Sequence, residues 1–227
     1  MKNILIIGCG LLGSSLLRRI HKKKIAKKIF IYEKSRSNIS KIKKLKLPGI
    51  IIKDLNQAVK NSDLIIFCTP MSEYKNLILK MNKSLSSKNI LTDIGSSKIE
   101  SSKIIRNFLK KDVNWTQGHP IAGSEVSGPE NGTQDIFENK WCVLIKEKNT
   151  KKKHLNLLSK FWKKMGSKIV VMTAEKHDKV FSMTSHLPHL IAYNLVKSAQ
   201  DFEKIQNYDL IKYSAGGLRD FSRIAAS

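Results

Sequence analysis

The sequence has few cysteines and no long hydrophobic run. Its three cysteines, Cys9, Cys68 and Cys142, are far apart and form no CxxC pair, which argues against a disulfide framework and against a zinc site. No stretch approaches the roughly 20 consecutive apolar residues of a membrane span, and the N-terminus leads into the strand-like ILIIG rather than a cleavable signal. The sequence therefore predicts a cytoplasmic protein with reduced cysteines and no membrane partner.

Acidic residues are also scarce, with 18 Asp and Glu against 42 Lys and Arg and a formal net charge of +24. Such a charge could neutralise the phosphates of a nucleic acid. However, only six of the cations are arginine, the better base reader, and the lysines are scattered through every candidate helix. We interpret them as a solvated surface that attracts small anions, and expect no nucleic-acid partner.

In the first half of the chain, short β-branched runs alternate with helical patterns, which predicts parallel strands joined by crossover helices. Near-continuous apolar runs such as DLIIFC indicate strands that are buried on both faces. The predicted strands are residues 3–7, 28–32, 50–52, 64–68, 89–93 and 115–118, and the predicted helices are residues 11–21, 37–45, 56–61, 73–85 and 98–109.

The pattern changes after Gly118. Residues 122–139 resemble a long loop, and loops of that length in compact domains tend to be functional. Two more strands, residues 141–145 and 168–172, flank a helix at 152–165, and only helices follow, at 174–200 and 202–213. The predicted fold class is α/β, with a Rossmann-type doubly wound parallel sheet over residues 1–172 and an all-helical domain over residues 173–227.

The opening ILIIGCGLLGSSL has GxGxxG spacing directly after a strand and at the start of a helix. The glycines allow a tight turn, close approach of a pyrophosphate, and close packing of helix and strand. Glu33 ends the second strand, where an acid accepts hydrogen bonds from the ribose of NAD and repels the 2′-phosphate of NADP. Lys34 and Arg36 keep NADP open as the less favoured cofactor. The predicted NAD-binding residues are Gly8, Gly10, Leu11, Leu12, Gly13, Glu33, Thr69 and Pro70.

Three segments follow the carboxyl ends of predicted strands, where open α/β sheets bind ligands. They are CTPMSEY, DIGSSK and GHPIAGSE, after the fourth, fifth and sixth strands. Ser96 could cap the following helix, act in the site, or do both. His119 could be an ordinary hydrogen-bonded loop histidine, but beside a nicotinamide it could take a proton from a hydroxyl while hydride leaves the adjacent carbon.

Two motifs in the helical part carry polar groups. In SHLPHL, His186 and His189 share a helix face with Ser185. A metal pair is conceivable, but no third ligand stands at a recognisable spacing, and we predict no metal site. In GGLRDFSRIA, Arg219 and Arg223 lie on one helical face, where a guanidinium is either surface charge or a receptor for a carboxylate.

Taken together, IIGCGLLGSSL, DIGSSK, GHPIAGSE, HDKVFSMTSHLPH and GGLRDFSRIA resemble the prephenate/arogenate (cyclohexadienyl) dehydrogenase family of tyrosine biosynthesis, in order and spacing and over essentially the whole chain. The resemblance implies an NAD-dependent oxidative decarboxylation of an anionic small molecule. Prephenate would give 4-hydroxyphenylpyruvate, and arogenate would give tyrosine.

The resemblance also implies roles for particular residues. His119 would take the proton of the ring hydroxyl, and Ser96 would hold that hydroxyl and the imidazole in line. Arg223 would receive a substrate carboxylate, and the further substrate contacts would be Ser185, His189 and Glu125, with Glu125 at the site entrance.

Members of the family usually continue beyond the arginine motif into helices that build a homodimer interface and close the pocket. The resemblance therefore implies that residues 173–227 are a truncated substrate and dimerisation domain. Two alternatives to an active enzyme of this family remain. One is a truncated NAD-binding module without catalysis, and the other is a different Rossmann dehydrogenase that acts on a hydroxy acid.

Overall fold

The computed structural model describes residues 2–206, 212–213 and 216–225. The chain divides into two compact units, the first made of Met1–Gly123 and Ser127–His177 and the second of Ser124–Val126 and Asp178–Ser227. The helix Ala174–Phe181 runs across this division.

The first unit alternates strands and helices through most of its length. The elements are β1 (Asn3–Ile7), α1 (Leu11–Lys22), β2 (Lys28–Tyr32), α2 (Arg36–Lys44), β3 (Ile50–Ile51), α3 (Leu55–Lys60), β4 (Leu64–Phe67), α4 (Tyr74–Met81), β5 (Ile90–Asp93), α5 (Ile99–Phe108), β6 (Asn114–Trp115), β7 (Gly118–Pro120), β8 (Trp141–Ile145), α6 (Lys152–Lys164), β9 (Lys168–Met172) and α7 (Ala174–Phe181).

Six of these strands form a parallel sheet in the order β3-β2-β1-β4-β5-β6. This is the strand order of a doubly wound dinucleotide-binding fold. Successive residues of β1 belong to different hydrophobic clusters, with Ile4 and Ile6 in one and Leu5 and Ile7 in the other. Side chains alternate across a strand, so the sheet is buried on both faces. The predicted fold class is confirmed.

The predicted sixth strand, residues 115–118, is wrong. β6 ends at Trp115, and Gly118 begins β7, which belongs to a separate sheet of order β7-β8-β9. β7 pairs antiparallel with β8, and β8 pairs parallel with β9. At Gln117 the backbone already bonds to the second sheet, since its carbonyl oxygen accepts from the Ile145 amide of β8, and its side chain bonds to Ser101 and Ser102 of α5. His119 therefore lies on a small second sheet.

The predicted long loop, residues 122–139, contains a single 3₁₀ turn, Pro129–Asn131, among the described residues. Within the first unit, its part after Ser127 lies along α1. The buried guanidinium of Arg19 pairs with Asp135 at 3.0 Å and Glu138 at 3.4 Å, and the Thr133 amide donates to Ser15 Oγ at 3.0 Å. These contacts fix the loop against the helix that follows the glycine-rich turn.

The cysteines are free thiols. Cys9 and Cys142 are buried, and burial, followed by the charge of Glu33, raises the pKa of Cys9 to about 12. A thiol with such a pKa is a poor nucleophile at neutral pH. Their structural role is that of small apolar residues in the core.

The second unit is helical. A π-helical turn (Ser182–His186) follows α7, and α8 (Leu187–Gln206) and α9 (Gly216–Ala225) complete the unit. The single helix predicted at 174–200 is thus interrupted. Pro188 lacks the amide that a regular turn would use, and the Ser182 and Thr184 hydroxyls bond back to the Lys179 and Val180 carbonyls, a pattern that bends helices.

The helix predicted at 202–213 is wrong at its start, because α8 continues through Gln206, and residues 207–211 of that prediction lie outside the described part of the chain. No helix among the described residues has both the length and the apolar character needed to cross a membrane.

Candidate active site

The glycine-rich turn between β1 and α1 requires its glycines for different reasons. Gly8 has φ +87°, and a Cβ there would lie 2.8 Å from the Cys68 carbonyl oxygen. A Cβ on Gly13 would collide with the carbonyl oxygen of Gly8. A Cβ on Gly10, by contrast, would meet no atom of the described residues within 4 Å. Gly8 and Gly13 therefore serve packing, whereas Gly10 faces open space where a ligand can approach.

Several features of this turn fit a dinucleotide. No side chain among the described residues caps α1, and its first turn, which holds Leu11 and Leu12, has no acid. Its N–H groups and the positive end of the helix dipole are thus available to a pyrophosphate. At the end of the neighbouring β4, Thr69 has a buried Oγ1 for which the described residues offer no hydrogen-bond partner, and Pro70 is exposed.

Glu33 lies directly after β2 and is half-buried. Its carboxylate accepts hydrogen bonds from the amides of Cys9 at 2.7 Å and Ser35 at 2.8 Å. The acid is thus fixed beside the glycine-rich turn, which is the position that ribose recognition requires. The neighbouring Lys34 is paired with Glu73 at 2.6 Å, and this hydrogen bond raises the pKa of the lysine.

His119 is half-buried on β7, and its Nδ1 lies 2.8 Å from Nε2 of His177. His177 is fully buried on α7, and its amide donates to the Thr173 carbonyl. The two rings are 58 residues apart in sequence, so spacing could not predict the pair. HDKVF contributed to the family resemblance, but sequence reasoning gave His177 no role.

The histidine pair restricts the tautomers of both rings. One of the two facing nitrogens must carry the proton, because a neutral imidazole has one donor and one acceptor. When His119 donates from Nδ1, its Nε2 carries the lone pair that a general base needs. A fully buried neighbour also limits rotation of the His119 ring.

Ser96 is exposed in the turn after β5. The helix that Ser96 was expected to cap begins at Ile99, and Lys98 occupies its cap position without a side-chain cap hydrogen bond. The Lys98 ammonium instead reaches Asp93 at 2.7 Å and the Gly118 carbonyl oxygen at 2.6 Å. The Ser96 turn and the start of β7 are therefore both next to this buried pair.

The second unit contains the other predicted substrate contacts. Arg223 of α9 donates from Nη1 to Glu125 at 2.9 Å. The pKa of Glu125 is lowered, first by its own backbone amide and then by the Arg223 guanidinium. His189 Nδ1 lies 2.8 Å from the Ser185 carbonyl oxygen. A carbonyl can only accept, so Nδ1 of His189 carries the proton and Nε2 is an acceptor.

The described residues contain no group of three His, Cys, Asp or Glu side chains that could hold a metal ion. His186 and Ser185 are half-buried in the π-helical turn, and Arg219 is exposed one turn before Arg223. π-Helical turns are rare and are frequent at functional sites.

Comparison with known proteins identifies the same family over nearly the whole chain. Residues 16–171 match the family of the prephenate dehydrogenase nucleotide-binding domain, and residues 173–227 match that of the prephenate dehydrogenase dimerization domain.

Two curated relatives and one solved structure illustrate the similarity. The chain is 33% identical to the cyclohexadienyl dehydrogenase of Zymomonas mobilis, covering 100% of this chain and 77% of the relative. It is 34% identical to the prephenate dehydrogenase of Lactococcus lactis, covering 99% of this chain and 61% of that protein. The crystal structure of prephenate dehydrogenase from Aquifex aeolicus, in complex with hydroxyphenyl propionate and NAD+, superposes with a TM-score of 0.91 at 33% identity, covering 100% of this chain and 79% of that one.

Proposed function

Because the chain belongs to the prephenate dehydrogenase family, we propose that it catalyses the NAD-dependent oxidative decarboxylation of prephenate to 4-hydroxyphenylpyruvate, or of arogenate to tyrosine. The observation that carries this proposal is the His119–His177 pair, which can present a lone pair at His119 Nε2. The pair lies in the same unit as the glycine-rich turn. Together they suit the oxidation of a hydroxyl-bearing carbon.

The chemistry asks the protein to move one proton and to hold two anionic groups. His119 Nε2 takes the proton of the ring hydroxyl as hydride leaves the carbon that bears it. The developing ketone withdraws the electrons of the C–CO2 bond, CO2 departs, and the ring becomes aromatic. The proton on His119 then returns to the phenolic oxygen, so no net proton is released. His177 accepts from His119 Nδ1 and stabilises the imidazolium while it exists.

NAD supplies the hydride acceptor when it is bound. The residues that would hold it are the ones that line the turn between β1 and α1 and the ends of β2 and β4. The α1 amides and the open space at Gly10 suit the pyrophosphate, and Glu33 suits the ribose hydroxyls. These groups are Gly8, Gly10, Leu11, Leu12, Gly13, Glu33, Thr69 and Pro70.

The other site residues bind and orient the substrate. Ser96 holds the ring hydroxyl and the imidazole in line. Arg223 receives a substrate carboxylate, since a guanidinium has five N–H donors in a planar arrangement. Before substrate binds, the Arg223 guanidinium donates to Glu125. His189, through Nε2, and the Ser185 hydroxyl add contacts.

The substitution Arg223→Ala is expected to raise KM for prephenate about 10- to 100-fold, because it removes charge-assisted hydrogen bonds worth roughly 1.5–3 kcal/mol. The value of kcat should change much less, because the proton acceptor is untouched. Steady-state kinetics with Arg219→Ala as the matched control would check this, since Arg219 is exposed on the same helix. A normal KM for Arg223→Ala would remove the arginine from substrate binding.

We also assign residues 1–172 to a dinucleotide-binding domain and residues 173–227 to a helical substrate and dimerisation domain. The extents of the two family matches, 16–171 and 173–227, support this division. The division of the chain into compact units, which separates His177 from Asp178, falls near the proposed boundary and supports it.

A homodimer formed through α8 is part of the proposal. The apolar side chains Ile191, Leu195, Phe202 and Ile205 fall on one stripe of that helix by their spacing and are 40% to 77% exposed. Such a stripe is typical of an interface. Sedimentation of the wild type should give twice the mass of the chain, and Leu195→Glu should give the mass of one chain. Lys197→Gln, which alters another face of α8, is the control and should remain a dimer. A wild-type monomer would contradict the dimer.

An assay of NADH formation with prephenate, arogenate and simple hydroxy acids tests the proposed function. We expect turnover of prephenate or arogenate and no turnover of the simple hydroxy acids. Turnover of the simple hydroxy acids alone would indicate a different Rossmann dehydrogenase. Calorimetric NAD binding without turnover of any substrate would indicate a non-catalytic module.

A further inference from the structure

We propose that Asp93 and Lys98 form a clamp on the backbone of Gly118 and act as positioning residues for His119. This inference rests on the proposed function, in which His119 is the proton acceptor. Asp93 is the last residue of β5, Lys98 precedes α5, and Gly118 begins β7. The clamp therefore joins the large sheet to the small sheet at the residue directly before His119.

Both backbone groups of Gly118 are held. Its amide donates to Asp93 Oδ1 at 3.2 Å, and its carbonyl oxygen accepts from Lys98 Nζ at 2.6 Å. The same ammonium donates to Asp93 Oδ2 at 2.7 Å. The amide and the carbonyl of Gly118 are thus bound by two side chains that also bind each other. Together these bonds restrict both translation of Gly118 and rotation of its backbone.

The clamp is made of groups that are costly to bury. The side chains of Asp93 and Lys98 are both fully buried, and two apolar side chains of similar size would avoid the desolvation of two charges. An apolar pair could not bond the Gly118 amide and carbonyl. Unlike an apolar pair, the ion pair fixes the position of the Gly118 backbone.

Asp93 also reaches the turn that carries Ser96. Its Oδ2 accepts from the Gly95 amide at 3.2 Å and from the Tyr74 hydroxyl at 3.0 Å. Burial, followed by the charge of Asp93, raises the pKa of Tyr74 far above its ordinary value, so the phenol stays a neutral donor. One carboxylate therefore fixes both the residue before Ser96 and the residue before His119.

The segment before His119 has a second attachment to α5. The Gln117 amide group is buried between the Ser101 and Ser102 hydroxyls. Gln117 is consequently held by the first turn of α5, and Gly118 by Lys98 directly before that helix and by Asp93 of β5. His177 then holds the far side of His119, at Nδ1, and the direction of Nε2 follows from a fixed backbone and a fixed ring nitrogen.

Removing the clamp is expected to misplace Nε2 without touching the cofactor turn. The double variant Asp93→Asn/Lys98→Met removes both charges together and so avoids leaving one buried charge without its partner. We expect kcat for prephenate to fall about 10- to 100-fold, as misplacements near 1 Å do. KM and the NAD dissociation constant should stay within about threefold of wild type.

Lys103→Met is the matched control, because Lys103 lies on α5, directly after the clamp, in an exposed pair with Glu100 at 3.2 Å. Where the double variant does not fold, Tyr74→Phe removes the phenol hydrogen bond to Asp93 Oδ2 and leaves the two buried charges paired, and it should show the same selective loss of kcat on a smaller scale. A parallel loss of kcat, NAD affinity and thermal stability would overturn a positioning role.

Hydrogen–deuterium exchange of the peptide that spans Gly118 and His119 provides a readout that does not depend on activity. We expect faster exchange in the double variant and unchanged exchange in Lys103→Met. Unchanged exchange in the double variant would overturn the clamp. A wild-type protein that does not oxidise prephenate, together with faster exchange in the variant, would refute the proposed function and leave the backbone clamp standing.

Discussion

Asn in place of His119 is expected to lower kcat for prephenate or arogenate by about 10²- to 10⁴-fold, the usual contribution of a positioned general base. An Asn side chain can still bond to His177 but cannot take up a proton near neutral pH. The NAD dissociation constant should remain within about twofold of wild type, because the glycine-rich turn is untouched.

The pH profile provides a sharper version of this test. A general base must be unprotonated to act, so kcat/KM of the wild type should rise with pH and reach a plateau once the imidazole is neutral. This rise of kcat/KM with pH should be absent from the residual activity of His119→Asn. His154→Asn, on α6, should keep both the wild-type rate and the rise with pH. An unchanged rate in His119→Asn would remove His119 from the mechanism.

Gly10→Ala is expected to weaken NAD binding about 10- to 100-fold, roughly 1.4–2.7 kcal/mol, while leaving the protein at least as stable as before. The new Cβ would meet no atom of the described residues within 4 Å, so packing does not oppose it. The backbone at this position is extended, with φ −76° and ψ −151°. Replacing a glycine at a compatible position stabilises proteins by about 0.4–1 kcal/mol. The methyl group would instead occupy the space through which a pyrophosphate approaches the α1 amides.

Gly13→Ala is the contrasting control, because its Cβ would collide with the Gly8 carbonyl oxygen and should lower Tm by several degrees. Titration of NAD by calorimetry and thermal unfolding without cofactor separate the two effects. Normal NAD affinity in Gly10→Ala would mean that the cofactor does not lie over this turn. A large loss of Tm in that variant would mean that Gly10 serves packing.

The large sheet could be predicted because its signals are local. β-Branched runs, glycines at fixed offsets and an acid at the end of β2 each lie within a few residues of one another. The first five parallel strands were accordingly predicted to within one residue at each boundary, whereas the sixth was wrong. The motif GHPIAGSE was also recognisable. The roles of its residues, and of Ser96, Ser185, His189 and Arg223, stay predictions.

What the sequence did not predict depends on contacts between distant residues. Where the chain leaves the large sheet, Gln117 bonds to Ile145 through its backbone and to Ser101 and Ser102 through its side chain, contacts that no periodicity encodes. His177 comes to His119 from 58 residues away. Asp93 and Lys98 stood within DIGSSK, but only the fold brings Gly118 between them. In the helical part, Pro188 was a visible signal for the interruption that the prediction at 174–200 missed.

Hydride removal and decarboxylation are expected to occur together on one substrate in this protein. Prephenate deuterated at the hydroxyl-bearing carbon and labelled with ¹³C in the ring carboxylate tests it in a single reaction with NAD. We predict reduced cofactor that carries the deuterium and ¹³CO2 in equal amounts. Reduced cofactor without deuterium, or ¹³CO2 released without reduced cofactor, would contradict the account.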